Sequence, residues 1–361
     1  MSGRSRRTMA KASTSAASKR PHPHRKRMTW QKWVMLMLAA ATALMLIFDA
    51  YLFQGIYIAP NRITSRYIQI EDEKIPSALD QVSVVFLSDI EYGEGFTKEK
   101  GDELFGQIAA IDPDILLIGG DLFAWDQPID ESLRNQMTQW ISSIKAPLGK
   151  FAVYGEQDLV DSDHQISVND IYAHAQVEIL NNSSVLLSNH SADGIRLVGL
   201  APDADPSAAA ASVGEGQYTL LLSHYPDNML TLEGSSLSAD YALCGNSHGS
   251  QVRWPLIGDY ATFPGSEQIN RSKRRKTGFP YLITSGVGCI DIQARINSPV
   301  EFVHITLLSD AKDSTNTPVQ DSAAQPEAAP AESAQTEVPS DVPSAVEPVP
   351  GEEDLPVEPE Q

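Results

Sequence analysis

Five short polar blocks, each at the end of an apolar run, hold the side chains of this chain that could do chemistry. They are Leu87-Ser88-Asp89-Ile90-Glu91, Gly119-Gly120-Asp121, Gly155-Glu156-Gln157-Asp158, Ser223-His224-Tyr225-Pro226-Asp227 and Gly245-Asn246-Ser247-His248-Gly249. The runs ahead of them, VSVVF, DILLI, FAVY, YTLLL and YALC, read as buried strands. An α/β sheet gathers the carboxyl ends of its strands along one rim, and polar residues there are where such folds place their sites. Taken singly, each block has a plainer reading. Ser-Asp after a strand is an ordinary cap, Gly-Gly-Asp is turn chemistry, and a lone His after a strand is most often a satisfied core or surface residue. Their succession in one chain is what outweighs the first two readings.

In order and residue type the blocks resemble the calcineurin-like metallophosphoesterases, in particular their membrane-anchored bacterial branch. That family reads D-x-H, G-D, G-N-H-D/E, an isolated H, then G-H-x-H. The resemblance implies that Asp89 binds a first metal, with Glu91 standing where the family has His. Asp121 falls where an Asp bridges two metals. Glu156 replaces the Asn that binds the second metal. Gln157 replaces the His regarded as general acid or phosphate contact. His224, in the retained His224-Tyr225-Pro226-Asp227 pattern, matches the isolated His on the second metal. His248 would bind the first metal, and Asn246, in place of the other His, offers at best a weak carbonyl oxygen. Asp89, Asp121, His224 and His248 are thus identical to the expected ligands, and Glu91 and Glu156 keep oxygen at theirs.

Brought together, these residues put four carboxylates and two imidazoles in one pocket. Two carboxylates about 4 Å apart repel by roughly 4 kcal/mol at an effective dielectric of 20. Such a group must share protons or hold a cation. The implied cofactor is one or two divalent ions, with Mn, Zn or Fe favoured over Mg because imidazoles stand among the carboxylates. Gln157 is the most consequential departure, since an amide donates a hydrogen bond but transfers no proton near neutral pH. The implied function is a metal-activated attack of water on a phosphoester or pyrophosphate, with activity reduced. The alternative is an inactive relative serving as a binding or scaffold module at the cell envelope.

The elements that must position the site alternate between strand and helix. Helices are expected around 98–111, 129–144 and 168–176, and late strands at 217–223, 240–244, 281–288 and 300–308. VEIL, SSVLLS and IRLVGLA lie too close together for intervening helices and read as an antiparallel run. The expected fold class is α/β. The resemblance makes it a sandwich of two mixed sheets flanked by helices, covering 54–309.

Outside that unit the composition changes. Residues 1–32 carry ten Lys or Arg and no acid, whereas 310–361 carry thirteen acids, one Lys and no aromatic residue. That leaves −18 for residues 33–309 of a total of −20. Residues 33–53 are apolar and long enough to span a bilayer, which takes about 20 residues. A signal peptide is the rival, but no small-x-small cleavage pattern follows. The basic segment ahead of the span predicts a single-pass cell-membrane protein with a cytoplasmic N-terminus and an outward-facing domain. The tail reads as a disordered acidic spacer. Cys244 and Cys289 read as buried thiols, although an outward-facing domain permits a disulfide. Arg271, Lys273, Arg274, Arg275 and Lys276 form a basic cluster whose simplest reading is a solvated loop. Overall acidity and outward topology speak against nucleic-acid binding. The expected partners are the membrane and a phosphorylated substrate or envelope component.

Overall fold

The computed structural model describes residues 28–210, 214, 216–232, 234–272 and 277–310. Residues 1–27 and 311–361, which hold most of the basic segment and nearly all of the acidic tail, lie outside them, as do Lys273, Arg274, Arg275 and Lys276.

Two sheets face each other. The first has the order β1 (Ile63–Asp72), β13 (Val300–Ser309), β2 (Ser83–Leu87), β3 (Ile115–Ile118), β4 (Gly149–Ala152) and β5 (Val177–Ile179). From β2 to β5 its strands are parallel, and β13 is antiparallel to β2. The second has the order β12 (Tyr281–Ile283), β9 (Tyr241–Cys244), β8 (Thr219–Ser223), β7 (Ile195–Leu200) and β6 (Ser183–Leu187). Only its β6–β7 pair is antiparallel.

Between the sheets Val84, Phe86, Leu117 and Val153 share one apolar cluster with Leu197, Leu220, Leu222 and Leu243. Val85, Leu87, Leu116 and Ile118 turn the other way, into a cluster with Leu104, Phe105 and Ile108 of α2 (Lys98–Ile111), Met137 and Ile141 of α3 (Glu131–Ser143) and Val168 and Ile171 of α4 (Ser162–His174). Strands covered on both faces have no polar face to show, which is why these runs are continuously apolar rather than alternating. A third cluster, with Val198, Leu221 and Ala242, lies under α5 (Pro206–Ala210) and the 226–232 turn. Thr97, Asp130 and Asp161 cap α2, α3 and α4 by accepting from the backbone N–H of Lys100, Leu133 and His164.

Helix α1 (Trp30–Phe53) has no buried residue although nearly all its side chains are apolar, and it continues through a π turn at Gln54–Ile58. Among the described residues it is the one helix long and apolar enough to cross a membrane.

The sandwich agrees with the sequence reading, with three differences. VEIL is not part of an antiparallel run. It is β5, parallel to β4 at the edge of the first sheet, because α4 begins at Ser162 and is long enough to make a crossover. The 281–288 strand ends at Ile283, and the residues after it turn toward the site. Strand β1, whose exposure alternates along ITSRYIQIED, and the short hairpin of β10 (Arg253–Trp254) and β11 (Gly258–Asp259) were not expected. Cys244 and Cys289 are both buried and free, so the thiol reading holds.

Candidate metal centre

The strand ends converge. β2, β3 and β4 deliver Asp89, Asp121 and Glu156 from the first sheet; β8 and β9 deliver His224, Asn246 and His248 from the second. The backbone at five of these positions is unusual. Asp89, Glu91, Asp121, Asn246 and His248 have φ of 55°, 49°, 58°, 60° and 46°. Left-handed conformations are rare for residues with a Cβ and cost of order 1 kcal/mol or more each. Here interlocking bonds enforce them. Asp89 N–H donates to the Gly120 carbonyl at 3.0 Å and Glu91 N–H to the Asp121 carbonyl at 3.1 Å, while the Asp89 carbonyl accepts from Val287 and Gly288. Gly155 is required because a Cβ there would overlap Asp121 Oδ1.

Several of these side chains are anchored through one atom and leave another over. Asp89 Oδ1 accepts from Asn246 N–H at 2.8 Å, Asp121 Oδ1 from Gln157 N–H at 2.9 Å, and Asn246 Nδ2 donates to the Pro264 carbonyl at 2.5 Å. Among the described residues, Asp89 Oδ2, Glu91 Oε1, Asn246 Oδ1 and His248 Nε2 are buried with no hydrogen-bond partner, while buried Asp121 Oδ2, Glu156 Oε2 and His224 Nε2 face one another. Buried polar atoms without partners are rare and costly. Seven such inward-facing atoms in one site are the arrangement a cation would satisfy. Asp89, Asp121 and His224 alone offer three ligand atoms within 4.8 Å of one another.

The imidazoles show what the site lacks. His224 Nδ1 lies 2.6 Å from the Gly119 carbonyl, which can only accept, so Nδ1 carries a proton. Its Nε2 then faces Asp121 Oδ2 at 3.1 Å and Glu156 Oε2 at 2.9 Å. Neutral His224 leaves three acceptors facing one another; a second proton or a metal ion resolves the conflict. Accordingly, burial disfavours the imidazolium, but the Asp121 and Glu156 charges and hydrogen bonds outweigh it and raise the His224 pKa well above its usual value. Glu156 is lowered: burial opposes ionisation but is outweighed by His224, with help from a Tyr225 hydrogen bond.

On the other side His248 Nε2 stands 3.6 Å from Asp89 Oδ1 and 3.7 Å from Glu91 Oε1. That is too far for a hydrogen bond, yet close to the roughly 3.4 Å between two atoms bound tetrahedrally at about 2.1 Å to one ion. Burial, then the positive charge of Arg295, hold His248 neutral, well below its usual pKa. Burial, then the neighbouring carboxylates, drive Glu91 far up; burial raises Asp89 and pushes Asp121 up to about 8.

Of the seven residues expected to bind metal, Asp89, Glu91, Asp121, Glu156, His224 and His248 come together through their side chains, and Asn246 joins them through its N–H to Asp89. Gln157 sits at the edge, its side chain partly exposed and its N–H fixed to Asp121.

Two positioning residues were missed. Asp158, fully buried, accepts from Asp121 N–H and Gly155 N–H at 2.9 Å through Oδ2 and from Leu122 N–H at 3.0 Å through Oδ1. It stood inside a quoted block, but its acceptor role shows only in three dimensions. Arg295, fully buried, donates to the Ser285 carbonyl at 2.5 Å, to the His248 carbonyl at 3.2 Å and to the Gly288 carbonyl, tying the second-sheet loops together. No motif surrounds it in the sequence. Asp158→Ala should destabilise the fold by about 3 kcal/mol, because three buried N–H groups lose their acceptor at about 1 kcal/mol or more each. Urea unfolding checks this, and a loss under 1 kcal/mol would contradict it.

Of the basic cluster, only Arg271 is described; it pairs with Asp259 of β11, and Arg253 lies 3.9 Å from the same carboxylate.

No family model matches the chain. It is 22% identical over 258 residues to the metallophosphoesterase YkuE of Bacillus subtilis, covering 70% of this chain and 88% of that protein. It is 23% identical over 263 residues to the bovine transmembrane protein with metallophosphoesterase domain, covering 66% of this chain and 56% of the relative. A solved structure, the calcineurin-like phosphoesterase YfkN of Bacillus subtilis, is 12% identical with a TM-score of 0.32 and covers 57% of this chain and 82% of its own. Over 66–70% of its length, then, this chain is similar to metallophosphoesterases.

Proposed function

We propose that this protein is a membrane-anchored metallophosphoesterase that hydrolyses a phosphoester or pyrophosphate slowly. In this reading Asp89, Glu91, Asp121 and His248 hold one divalent ion, and Asp121, Glu156, His224 and Asn246 a second. The observation that carries it is the cluster of buried ligand atoms from these seven side chains, four of them without a partner and three facing one another. Bound there, such ions supply Lewis acidity toward a phosphoryl oxygen and a water acidic enough to attack at neutral pH.

The chain's own contribution is orientation. Gly119 fixes the His224 tautomer, so that Nε2 points inward. Gln157 N–H fixes the Asp121 carboxylate. An amide at Gln157 can donate to a phosphate oxygen, but it cannot protonate a leaving alkoxide. That last point also favours a second reading, a silent relative that binds a phosphorylated ligand without cleaving it.

The basic segment ahead of α1 supports a cytoplasmic N-terminus, with the domain on the far side of the cell membrane. The full-length protein, purified without chelator, should carry Mn, Zn or Fe by elemental analysis. It should hydrolyse nitrophenyl phosphate in a metal-dependent manner, with chelation removing the activity and the metal restoring it. Bound metal without turnover would select the second reading. Failure to take up any divalent ion would refute both.

A further inference from the structure

The end of α1 is clamped to the domain. Arg295 N–H donates to the Gly55 carbonyl and Asn297 Nδ2 to the Tyr51 hydroxyl, both at 2.8 Å. Only glycine fits at position 55, where a Cβ would lie 2.5 Å from Ile296 Cγ1. Tyr51, Leu52 and Trp254 pack on Val252, Ala294 and Ile296, and the Trp254 ring lies 6.2 Å from Phe48 and 6.4 Å from Tyr51. Trp254 therefore sits level with the last turns of α1. Asp49 lies in the same turns, and its charge calls for lipid headgroups rather than acyl chains. An indole at that depth is where membrane proteins place their interfacial aromatics.

Trp254 also opens a hairpin whose tip no described residue covers. Beyond it Leu256 is 107% exposed, Ile257 84% and Tyr260 72%. Leu256 has a φ of 69°, a conformation a water-facing turn would give to Gly or Asn. Both legs of the hairpin rest on the candidate metal centre. One leads from Asn246 and His248. The other returns to Phe263, whose ring lies 5.1 Å from the His248 ring, and to Pro264, whose carbonyl accepts from Asn246.

We propose that the β10–β11 hairpin is a second membrane contact. It seats Leu256, Ile257 and Tyr260 in the leaflet from which the C-terminal end of α1 emerges, and it holds the mouth of the site at the headgroups. The occupant is the bilayer because the hairpin is packed on the helix that crosses it. Arg62, exposed just past that helix, and Arg253, with a side chain 44% exposed, supply positive charge for lipid phosphates. Resting on the proposed phosphoesterase function, this placement assigns the substrate to phosphoesters carried by a lipid.

The test uses the full-length protein in vesicles of phosphatidylcholine and phosphatidylglycerol, with and without brominated acyl chains. Leu256→Cys carries an environment-sensitive fluorophore; the two native thiols are buried. Ile166→Cys, at an exposed apolar position on α4, is the control. The label at 256 should shift to the blue and be quenched by brominated lipid, and the label at 166 should do neither. No quenching at 256 overturns the proposal, as does equal quenching at both positions. A blue shift without quenching also overturns it, since a protein surface rather than lipid would then cover the tip.

For the substrate, Leu256→Asp with Ile257→Asp should cut turnover of a fluorescent phospholipid in vesicles about a hundredfold or more, the scale of losing two buried aliphatic side chains. Nitrophenyl phosphate hydrolysis should not change. An equal fall on both substrates overturns the lipid assignment. If the unaltered protein hydrolyses neither, the phosphoesterase reading fails, while the quenching result still decides the membrane contact.

Discussion

Asp121→Asn should stabilise the metal-stripped protein and abolish most of its metal affinity, two effects of opposite sign from one side chain. Asp121 is fully buried, with Oδ1 committed to Gln157 N–H and Oδ2 facing His224. Without a metal, burial pushes its pKa from 3.8 up to about 8, although the His224 charge pulls the other way. The sign follows from proton linkage. Below about pH 4 the carboxyl is neutral in both the folded and unfolded states and costs nothing. Between pH 4 and 8 the unfolded chain releases the proton while the folded one keeps it, so stability falls as pH rises, by about 4 kcal/mol at pH 7.

Asp89 and Glu91 are also raised and act in the same direction, and His224, raised above its unfolded value, loses its stabilising proton as pH climbs. His248, held neutral by burial and Arg295, opposes this trend only below about pH 6.5, where the unfolded imidazole gains a proton. Metal-stripped protein should therefore melt at progressively lower temperature from pH 6.5 to 8. Asp121→Asn, with no charge to lose, should flatten that slope and raise the melting temperature at pH 8. Metal reverses the comparison, because bound cations require the ionised carboxylates and gain affinity as pH rises. Titration calorimetry should give at least a tenfold weaker Kd for Asp121→Asn. An unchanged Kd, or a melting temperature that rises with pH in the stripped protein, would defeat the two-sided role of this carboxylate.

What could be read in advance, and what could not, has a physical basis. The site residues were legible because a doubly covered strand writes a continuous apolar run, and a polar residue at its carboxyl end has few purposes. Asp121 after DILLI and His224 after YTLLL are clear cases. Strand β5 was misassigned because three residues, VEI, carry no periodicity; only the length of α4 separates a parallel crossover from a hairpin. Strand β1 alternates as an edge strand should, but no site residue follows it to draw attention to the pattern. Arg295 and Asp158 act on backbone atoms of segments distant in the chain, and carbonyl or N–H partners leave no trace in residue type. The β10–β11 hairpin escaped for another reason. Its strands have two residues each, and the exposed Leu256 and Ile257 look like core until the fold leaves them outside.

Turnover should be recoverable by restoring four residues together, and Gln157 should govern the last step. The glutamine stands in the 157–159 turn with its N–H fixed to Asp121, so a histidine there inherits an anchored backbone and a partly exposed approach to the substrate. Glu91→His, Glu156→Asn and Asn246→His would restore the ligand pattern of the family the blocks resemble, and as members of one site they should act non-additively. Each also removes a carboxylate or adds a nitrogen where buried carboxylates now compete for protons, so this triple variant should bind metal with less dependence on pH. Adding Gln157→His to the triple variant should raise kcat on an alkyl phosphate by about 10²-fold or more, the range for a positioned general acid. With nitrophenyl phosphate, whose leaving group departs without a proton, the same addition should matter far less. That contrast separates acid catalysis from simple repair of phosphate binding, which would raise both substrates alike. Should the natural protein match the four-fold variant on the alkyl ester, Gln157 is no defect. Glu91 and Glu156 would then complete a competent centre of different composition, with the leaving group protonated from solvent or by a neighbouring acid kept neutral through burial.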